Sequence, residues 1–440
     1  MSQNAKEFQN ENLSVLFTEK PGCVCILEIT AKPVLAEEMY SRALKNIRKE
    51  VSLPGFRKGK APDKVILTKF APQIEREFRE LFLNESARQA IQLCETYPWN
   101  RSESLKAEIN EASLEKGGKF KVEFESFPKV PEISPDALQV KDEPSEKITD
   151  EAVEKHLDSL RYHHAKWNDV EGRAIKNDDF VEATMEVLAE DGAQKFPPRK
   201  SNFHVNKDHL EEWMFDFLIG KEAGSTAELT PPKPKRDKES DEPEIEIPKR
   251  KFKVTIEKIR SAELEEMNDE FAKKFGAESM EDLKAKVRKY LEDKEKDRVR
   301  GIIHGRIQSS LLKKYPFEVP TSLFENERQT HLKRLIQSYK EMQYSEEEIK
   351  KSREKLEEVA KQRADNSLRT HFLLTHLASA QKFEISREEV LQELIQESLE
   401  QQGTVNSELI SNPDKYTPMI KEKLQLVKAM DYLAERVSRT

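Results

Sequence analysis

The chain has 440 residues, a formal net charge of −8 at pH 7 and 36% charged residues. This length predicts roughly two to four domains, and the net acidity excludes a protein that binds polyanions along its whole surface. Three cysteines argue against a disulfide framework. There is no secretory signal sequence and no run of about 18 apolar residues, so we expect a cytoplasmic protein that does not enter a membrane.

Strands and helices alternate in the first quarter of the chain. Apolar residues alternate with other residues over 12–29, which predicts two strands, and again over 120–124, which predicts a third. Apolar residues at helical spacing predict helices over 35–51 and 72–94. Strands flanking helices indicate an α+β domain over residues 1–127.

The loop from Ser52 to Pro62 lies between the two predicted helices, and its glycines and prolines predict tight turns. The tip of this loop combines an aromatic residue, two cations and two flanking glycines: Phe56, Arg57, Lys58, Gly55 and Gly59. Such a tip suits docking on a surface that offers an apolar notch and negative charge. The alternative is a solvated basic turn whose aromatic ring folds back into the core.

The polar side of the preceding helix is basic. Its four candidates for contact with a negatively charged partner are Arg42, Lys45, Arg48 and Lys49. Between residues 42 and 69 there are nine basic and two acidic side chains, a concentrated positive field in an otherwise acidic chain. The alternative is a helix face that is simply solvated.

The middle of the chain predicts a β-rich domain. Residues 128–149 are polar and rich in proline, which indicates a linker. The domain over 150–260 is expected to begin with a helix from Asp150 to Trp167, capped by Thr149 or Asp150. The sequence has no phosphate loop or dinucleotide fingerprint, and its histidines are not spaced as paired ligands. We therefore expect no cofactor and no metal site.

Residues 261–440 are predicted to form an elongated all-α domain with helical arms. Several apolar stripes are narrow for the length of the helices that carry them, which favours an extended arm over a compact bundle. Some stripe residues must pack to hold the arms together, and the rest are candidates for binding other chains. The two stripes consist of Leu332, Leu335, Ile336 and Tyr339, and of Leu391, Leu394, Ile395 and Leu399.

Three segments resemble one known family. The run from Gly55 to Pro62 resembles the ribosome-docking signature of trigger factor, the bacterial chaperone that meets nascent chains at the exit tunnel. Arg250–Ile259 is similar to the last strand of that family's isomerase-like domain, and Asn268–Gly276 to the opening of its helical domain. The resemblance covers nearly the whole chain. It implies a multidomain protein with a ribosome-binding domain, an FKBP-like middle domain and a helical chaperone domain.

The resemblance also implies a function. The chain would be an ATP-independent chaperone that shields nascent polypeptides and assists their folding and export. Phe56, Arg57 and Lys58 would dock on the ribosomal protein beside the tunnel exit, and the bases of the preceding helix would meet rRNA phosphates. The helical domain would hold unfolded polypeptides through many weak apolar contacts, and two copies could associate off the ribosome.

An alternative function is that of a peptidyl-prolyl isomerase acting on unfolded chains, because the family's middle domain is FKBP-like. The family's Ile-Pro-Gly-Phe run is replaced here by Glu211–Met214, and its early Asp-aromatic pair by Ala183 and Thr184. We therefore assign no catalytic residue and expect low isomerase activity. A periplasmic chaperone with a similar helical domain is opposed by the missing signal sequence and by the loop. A plain RNA-binding protein is opposed by the net charge.

Overall fold

The structure is a computed structural model that describes residues 5–100, 105–188, 196–232, 243, 251–402 and 413–440. It divides into two compact units, each assembled from separate stretches of the chain. The first unit comprises Met1–Ser134, Leu311–His331 and Arg363–Ala429, and the second comprises Pro135–Ser310, Leu332–Gln362 and Met430–Thr440. No helix in the described part of the chain is long and apolar enough to cross a membrane.

A five-stranded antiparallel sheet lies in the first unit. In spatial order its strands are β1 (Ala5–Gln9), β2 (Leu13–Lys20), β3 (Val24–Ala31), β5 (Gly117–Glu125) and β4 (Lys106–Ser113). The three central strands are the predicted ones. The edge strands β1 and β4 escaped prediction because most of their side chains are exposed, so no buried face imposes alternation on their sequence.

Two helices, α1 (Pro33–Glu50) and α2 (Asp63–Leu93), cover one face of this sheet. Helix α2 begins before the predicted start, and the proline taken for that start lies inside the helix. Phe70 has non-helical angles there, φ −124° and ψ 21°, two residues before Pro72. Proline removes a backbone donor and crowds the preceding turn, so the helix kinks at this point without ending.

Aromatic rings form the centre of the core between these helices and the sheet. The ring centroids of Phe78 and Phe82 are 5.4 Å apart, and those of Phe82 and Phe120 are 5.0 Å apart. All three side chains are almost completely buried. Gly118 lies directly beside them on β5, where there is no room for a side chain.

The middle region is a second antiparallel sheet with one short helix. Its elements are β7 (Lys166–Val170), β8 (Phe180–Leu188), β9 (Arg199–His204), α4 (Glu212–Leu218), β10 (Thr226–Leu229) and β11 (Lys251–Glu263). The strands follow the order β10-β11-β8-β9, and β7 also pairs with β11. Helix α4 packs Phe215 and Leu218 against Val181 and Ile256 of the sheet. The β-rich middle region is thus as predicted.

Helix α3 (Asp150–His163) precedes this sheet and is shorter than predicted. The predicted cap is present, since the Thr149 hydroxyl accepts a hydrogen bond from the backbone N–H of Ala152. Trp167 lies outside the helix, on β7, where it pairs with Ala262 of β11. The extended conformation of Trp167 is fixed by strand pairing with Ala262, almost a hundred residues later in the sequence. Local periodicity does not reveal such a distant partner.

The C-terminal region is helical, as predicted. Its helices are α5 (Asp269–Lys274), α6 (Met280–Lys314), α7 (Thr321–Glu341), α8 (Glu346–Lys351), α9 (Arg353–Gln381), α10 (Arg387–Gln402) and α11 (Pro413–Arg436). A short strand, β12 (Ser438–Arg439), pairs in parallel with β6 (Gln139–Val140).

The segment 128–149, predicted as a linker, makes specific contacts along its length. In the first unit the backbone N–H of Ser134 donates to the hydroxyl of Tyr315 over 3.0 Å. In the second unit Glu143 pairs with Arg298 at 3.1 Å and with Arg306 at 3.0 Å. In the second unit the Glu143 side chain therefore fastens this segment to helix α6, and β6 fastens it to β12.

Replacing Gly118 with alanine should destabilise the N-terminal sheet by about 1–3 kcal/mol. A Cβ there would lie 2.6 Å from Phe120 Cζ and 2.7 Å from Phe82 Cε1, so packed rings must move. Gly305, which lies on α6 with open space around it, provides the matched control. Gly305→Ala should stabilise the protein by up to about 1 kcal/mol. Differential scanning calorimetry measures both changes, and an unchanged or raised Tm for Gly118→Ala would contradict the packing described.

Candidate functional site

The loop between α1 and α2 consists of two consecutive tight turns. The backbone N–H of Phe56 donates to the carbonyl of Leu53 over 3.1 Å, and that of Lys60 donates to the carbonyl of Arg57 over 2.9 Å. The third residue of each turn is a glycine with positive φ, +88° at Gly55 and +79° at Gly59. Type II turns require this backbone conformation, which side chains other than glycine's disfavour. The two glycines thus fix the shape of the tip.

Core residues on both sides of the tip hold the loop in place. Leu53 and Ala61 are buried in the same hydrophobic cluster as the two helices. Between them, Phe56 is 43% exposed, and Arg57 and Lys58 also point into solvent. The ring therefore does not fold back into the core, and the loop presents an aromatic group beside two cations.

The four bases of α1 do not share one environment. Arg42, Lys45 and Lys49 are exposed. Arg48 is half-buried, and its Nη1 lies 2.9 Å from Oδ1 of Asp63, the first residue of α2. Each charge also suits the helix end where it lies, a cation at the end of α1 and an anion at the start of α2. Arg48 thus braces the two ends of the loop, and the other three candidates extend into solvent.

The first stripe of predicted binding residues is mostly used internally. Leu332 and Leu335 are buried in a cluster with Leu356, Val359 and Ala360. Ile336 and Tyr339 are partly buried against the same cluster. In this conformation the stripe on α7 holds the helices together, so Leu332 and Leu335 are not available to a client.

The second stripe is divided between packing and solvent. Leu394 is buried with Val390 and Ile420, and Leu391 is half-buried. Ile395 is 38% exposed and Leu399 is 46% exposed on the other side of α10. Met419 of α11 is 59% exposed, an apolar residue that was not among the predicted binding residues. Sequence periodicity places these residues on helix faces, but only packing shows which face is covered.

The segment Glu211–Met214, which replaces the family's Ile-Pro-Gly-Phe run, forms the beginning of α4. Glu211 and Glu212 are exposed at the N-terminus of this helix, where negative charge is favoured, so they do not line an apolar wall. Met214 and Phe215 are core residues, whereas Trp213 and Phe217 are half-buried beside them. Ala183 is buried on β8, and the Thr184 hydroxyl donates to Glu257 over 2.9 Å. These residues show no acid–base pair on which catalysis could be assigned.

A cluster of aromatic rings and histidines where α3 meets the sheet was not predicted. The ring centroids of Tyr162 and His204 are 4.4 Å apart, and Trp167 lies 4.9 Å from Phe180. Nε2 of His204 is buried without a hydrogen-bond partner in the described part of the chain, and it is 3.8 Å from Oδ1 of Asp178. These aromatic and histidine residues lie far apart in the sequence, so no local pattern indicates that they form one cluster.

The surroundings of His204 disfavour its charged form. Burial lowers the pKa of His204 below its usual 6.5, and the neighbouring His209 and His163 lower it further, while Asp178 opposes them. Tyr162 also faces this group, and burial raises the pKa of its hydroxyl to about 12. Among the described residues, no group of three or more His, Cys, Asp or Glu side chains is arranged to hold a metal ion.

Comparison with known proteins gives matches to one family over both ends of the chain. The family model for bacterial trigger factor protein matches residues 13–160, which include the loop from Ser52 to Pro62. The model for the trigger factor C-terminus matches residues 279–435, which include the helices from α6 to α11. The chain thus combines the two terminal domains that define this class of chaperone.

Two individual relatives agree with these matches in sequence. A trigger factor of Protochlamydia amoebophila is 30% identical over 392 residues, covering 89% of this chain and 87% of that protein. A trigger factor of Chlamydia abortus is 28% identical, covering 88% and 87%. A solved structure of the trigger factor chaperone aligns over 96% of this chain and 98% of that chain, with 21% identity and a TM-score of 0.46. The chain belongs to the trigger factor family.

The stability of the middle region should fall as the pH falls below about 6.5. Above this pH His204 is neutral in both states and adds no pH dependence. Below it the unfolded chain binds a proton that the folded chain does not, because the folded pKa is lowered from 6.5. His204→Phe keeps the ring contacts and should flatten the decline in Tm between about pH 7 and pH 5. His376→Gln, a change in an exposed histidine on α9 outside the middle region, is the control. Identical profiles for wild type and His204→Phe would contradict this assignment.

Proposed function

We propose that this protein is a ribosome-associated chaperone that docks near the tunnel exit through the loop Gly55–Gly59 and shields emerging polypeptides. The observation that carries the proposal is the exposed aromatic ring of Phe56, held beside Arg57 and Lys58 by two glycine-containing turns. A ring exposed to this degree buries apolar area when it enters a notch on a partner. Arg57 and Lys58 supply charge-assisted hydrogen bonds to acidic or phosphate groups beside that notch.

The rigidity of the loop favours tight docking. Association costs free energy for each side chain and loop that must be ordered. Here the turns and the buried anchors Leu53 and Ala61 order the backbone before the partner is met. The exposed bases Arg42, Lys45 and Lys49 on α1 would add attraction to rRNA phosphates, which steers association and weakens as salt rises.

Client binding is proposed for the apolar residues that packing leaves uncovered. Ile395 and Leu399 on α10 and Met419 on α11 are exposed within the first unit. Isolated apolar residues bind weakly, but several of them give useful avidity for an unfolded chain without fixing its sequence. Binding and release of this kind need no nucleotide. The same residues would favour pairing of two copies off the ribosome, and ribosome docking places the protein in the cytoplasm.

Replacing Phe56, Arg57 and Lys58 together with alanine should weaken ribosome binding by about 100-fold or more, since hot-spot residues contribute about 2 kcal/mol each. The side chains are exposed, so the fold should persist. Co-sedimentation with ribosomes measures the change. The matched control replaces another exposed aromatic residue and two neighbouring cations, Tyr290, Lys289 and Lys294, with alanine. Wild-type co-sedimentation of the loop variant would refute docking through this loop.

Single neutral replacements on α1 should separate phosphate contacts from the loop brace. For Arg42, Lys45 or Lys49 changed to glutamine, the slope of log affinity against log salt should fall by about 0.7–0.9 per lost phosphate contact. Arg48→Gln should leave this slope unchanged, because Arg48 is paired with Asp63. Ribosome binding titrated at several salt concentrations provides the slopes. A reduced slope for Arg48→Gln alone would reverse the two roles.

A further inference from the structure

The turn between β2 and β3 contacts the start of helix α7. The backbone N–H of Gly22 donates to Oε2 of Glu318 over 2.8 Å, and the N–H of Thr321 donates to the carbonyl of Gly22 over 3.3 Å. The thiol of Cys23 donates to the carbonyl of Glu318 over 3.3 Å. All of these residues belong to the first unit, so the N-terminal sheet and the first turn of α7 meet within one compact body.

A second contact lies beside the first, at the end of β5. The Glu125 carboxylate accepts hydrogen bonds from the backbone N–H of Ser322, at 3.0 and 3.1 Å, and from its hydroxyl. Nε1 of Trp99 donates to the same carboxylate over 3.3 Å. The first backbone N–H groups of a helix lack partners within the helix, and its N-terminus favours negative charge. Glu125 thus caps α7 from a strand almost two hundred residues earlier in the sequence.

The fit at this contact is close enough to exclude other side chains. Gly22 has φ +78°, and a Cβ there would lie 2.0 Å from Oγ1 of Thr321. Cys23 also has a positive φ, +60°. A non-glycine residue in this region costs about 1 kcal/mol or more, so the surrounding contacts hold the turn in this conformation. We call the set Gly22, Cys23, Glu125, Glu318, Thr321 and Ser322 the turn–helix junction.

The junction continues into the helices that carry exposed apolar residues. Phe317, just before Glu318, packs edge to face against Phe372 of α9, with ring centroids 6.5 Å apart. Helix α9 leads through a short connection to α10, where Ile395 and Leu399 are exposed. Packed contacts therefore connect the domain with the docking loop to the region proposed for client binding, in addition to the covalent chain.

We propose that Gly22 and Glu125 are positioning residues, which fix the client-binding helices of the first unit relative to the ribosome-binding domain. Neither residue would touch ribosome or client. Their role rests on the proposed function: a chaperone docked by one domain shields an emerging chain only when its binding residues are held at the tunnel exit. Without the junction, ribosome docking and client binding would each persist. The client-binding helices would, however, no longer be held next to the chain that emerges from the docked ribosome.

Two variants test whether the contacts of the turn–helix junction can be broken by a clash and restored when the clash is removed. Gly22→Ala should open it by the clash with Thr321 Oγ1, and the double change Gly22→Ala with Thr321→Ala should close it again, since that oxygen is removed. Gly172→Ala is the control for backbone strain alone, because Gly172 has φ +75° and no atoms within 4 Å of a Cβ. Glu125→Ala should open the second contact independently.

Cys23 reports opening directly. Burial, together with Glu318, raises the pKa of the Cys23 thiol to about 11, which keeps it protonated and slow to react. Opening removes the burial, and each unit by which the pKa falls gives about tenfold more thiolate. Pulse labelling with a maleimide, read by mass spectrometry, should show faster labelling of Cys23 in Gly22→Ala. Glu125→Ala is not judged by this assay, because Glu125 itself raises the pKa of Cys23 and its removal speeds labelling even in a closed junction. The double variant and Gly172→Ala should label at the wild-type rate.

The functional measurement uses ribosomes that carry a stalled nascent chain, at equal chaperone occupancy. Gly22→Ala and Glu125→Ala should bind ribosomes and suppress aggregation in free solution as wild type does. They should, however, lose most of the protection of the nascent chain from added protease, and the double variant should regain it. Wild-type protection by Gly22→Ala, when its Cys23 labels faster, or wild-type protection by Glu125→Ala would overturn the positioning role. Absence of wild-type ribosome binding would overturn the proposed function, which the occupancy measurement detects separately.

Discussion

The packing of α1 and α2 on the N-terminal sheet is the constraint on which the conformation of the loop Ser52–Pro62 depends. Phe78, Phe82 and Phe120 fill the space between helices and sheet, and Leu53 and Ala61 extend the same cluster to the two sides of the loop. Because the core fixes both ends of a short loop, little freedom is left to its tip. The two turns direct three adjacent side chains, Phe56, Arg57 and Lys58, into solvent. Burial in the core and exposure at the tip are therefore two results of one arrangement.

Charge in the N-terminal domain has two distinct uses, which the sequence alone does not separate. Arg48 and Glu125 each pair within the molecule, Arg48 across the ends of the loop and Glu125 at the N-terminus of α7. The exposed Arg48–Asp63 ion pair contributes at most about 1 kcal/mol to stability, so it serves mainly to fix the geometry of the loop. Glu125 accepts hydrogen bonds from Ser322 and Trp99 and fixes the start of α7. The exposed bases near the loop, such as Lys45, are accessible to an external anion. A net acidic chain can in this way present one local basic surface.

The sequence predicts the features that local patterns determine. The central strands, both N-terminal helices, the Thr149 cap and the helical C-terminal region follow from alternation, periodicity and capping chemistry. The tip of the loop was also predictable, because glycine and proline punctuate it. The features that escaped prediction depend on distant partners. Trp167 is placed by its pairing with β11, and the cluster around His204 joins residues from four separate segments.

The sequence alone does not show which residues of an apolar stripe are buried and which are exposed. An apolar stripe is expected on a helix that packs against a neighbouring helix. The same stripe is expected on a helix whose apolar face binds another chain. Leu335 and Ile395 belong to similar stripes, yet the first is buried against α9 and the second is exposed. A chaperone arm needs both kinds of residue, since exposed apolar residues contribute nothing to its own stability. Within α10, Leu394 packs and holds the helix in place, while Leu399 remains exposed, so one helix both contributes to the core and carries uncovered apolar surface.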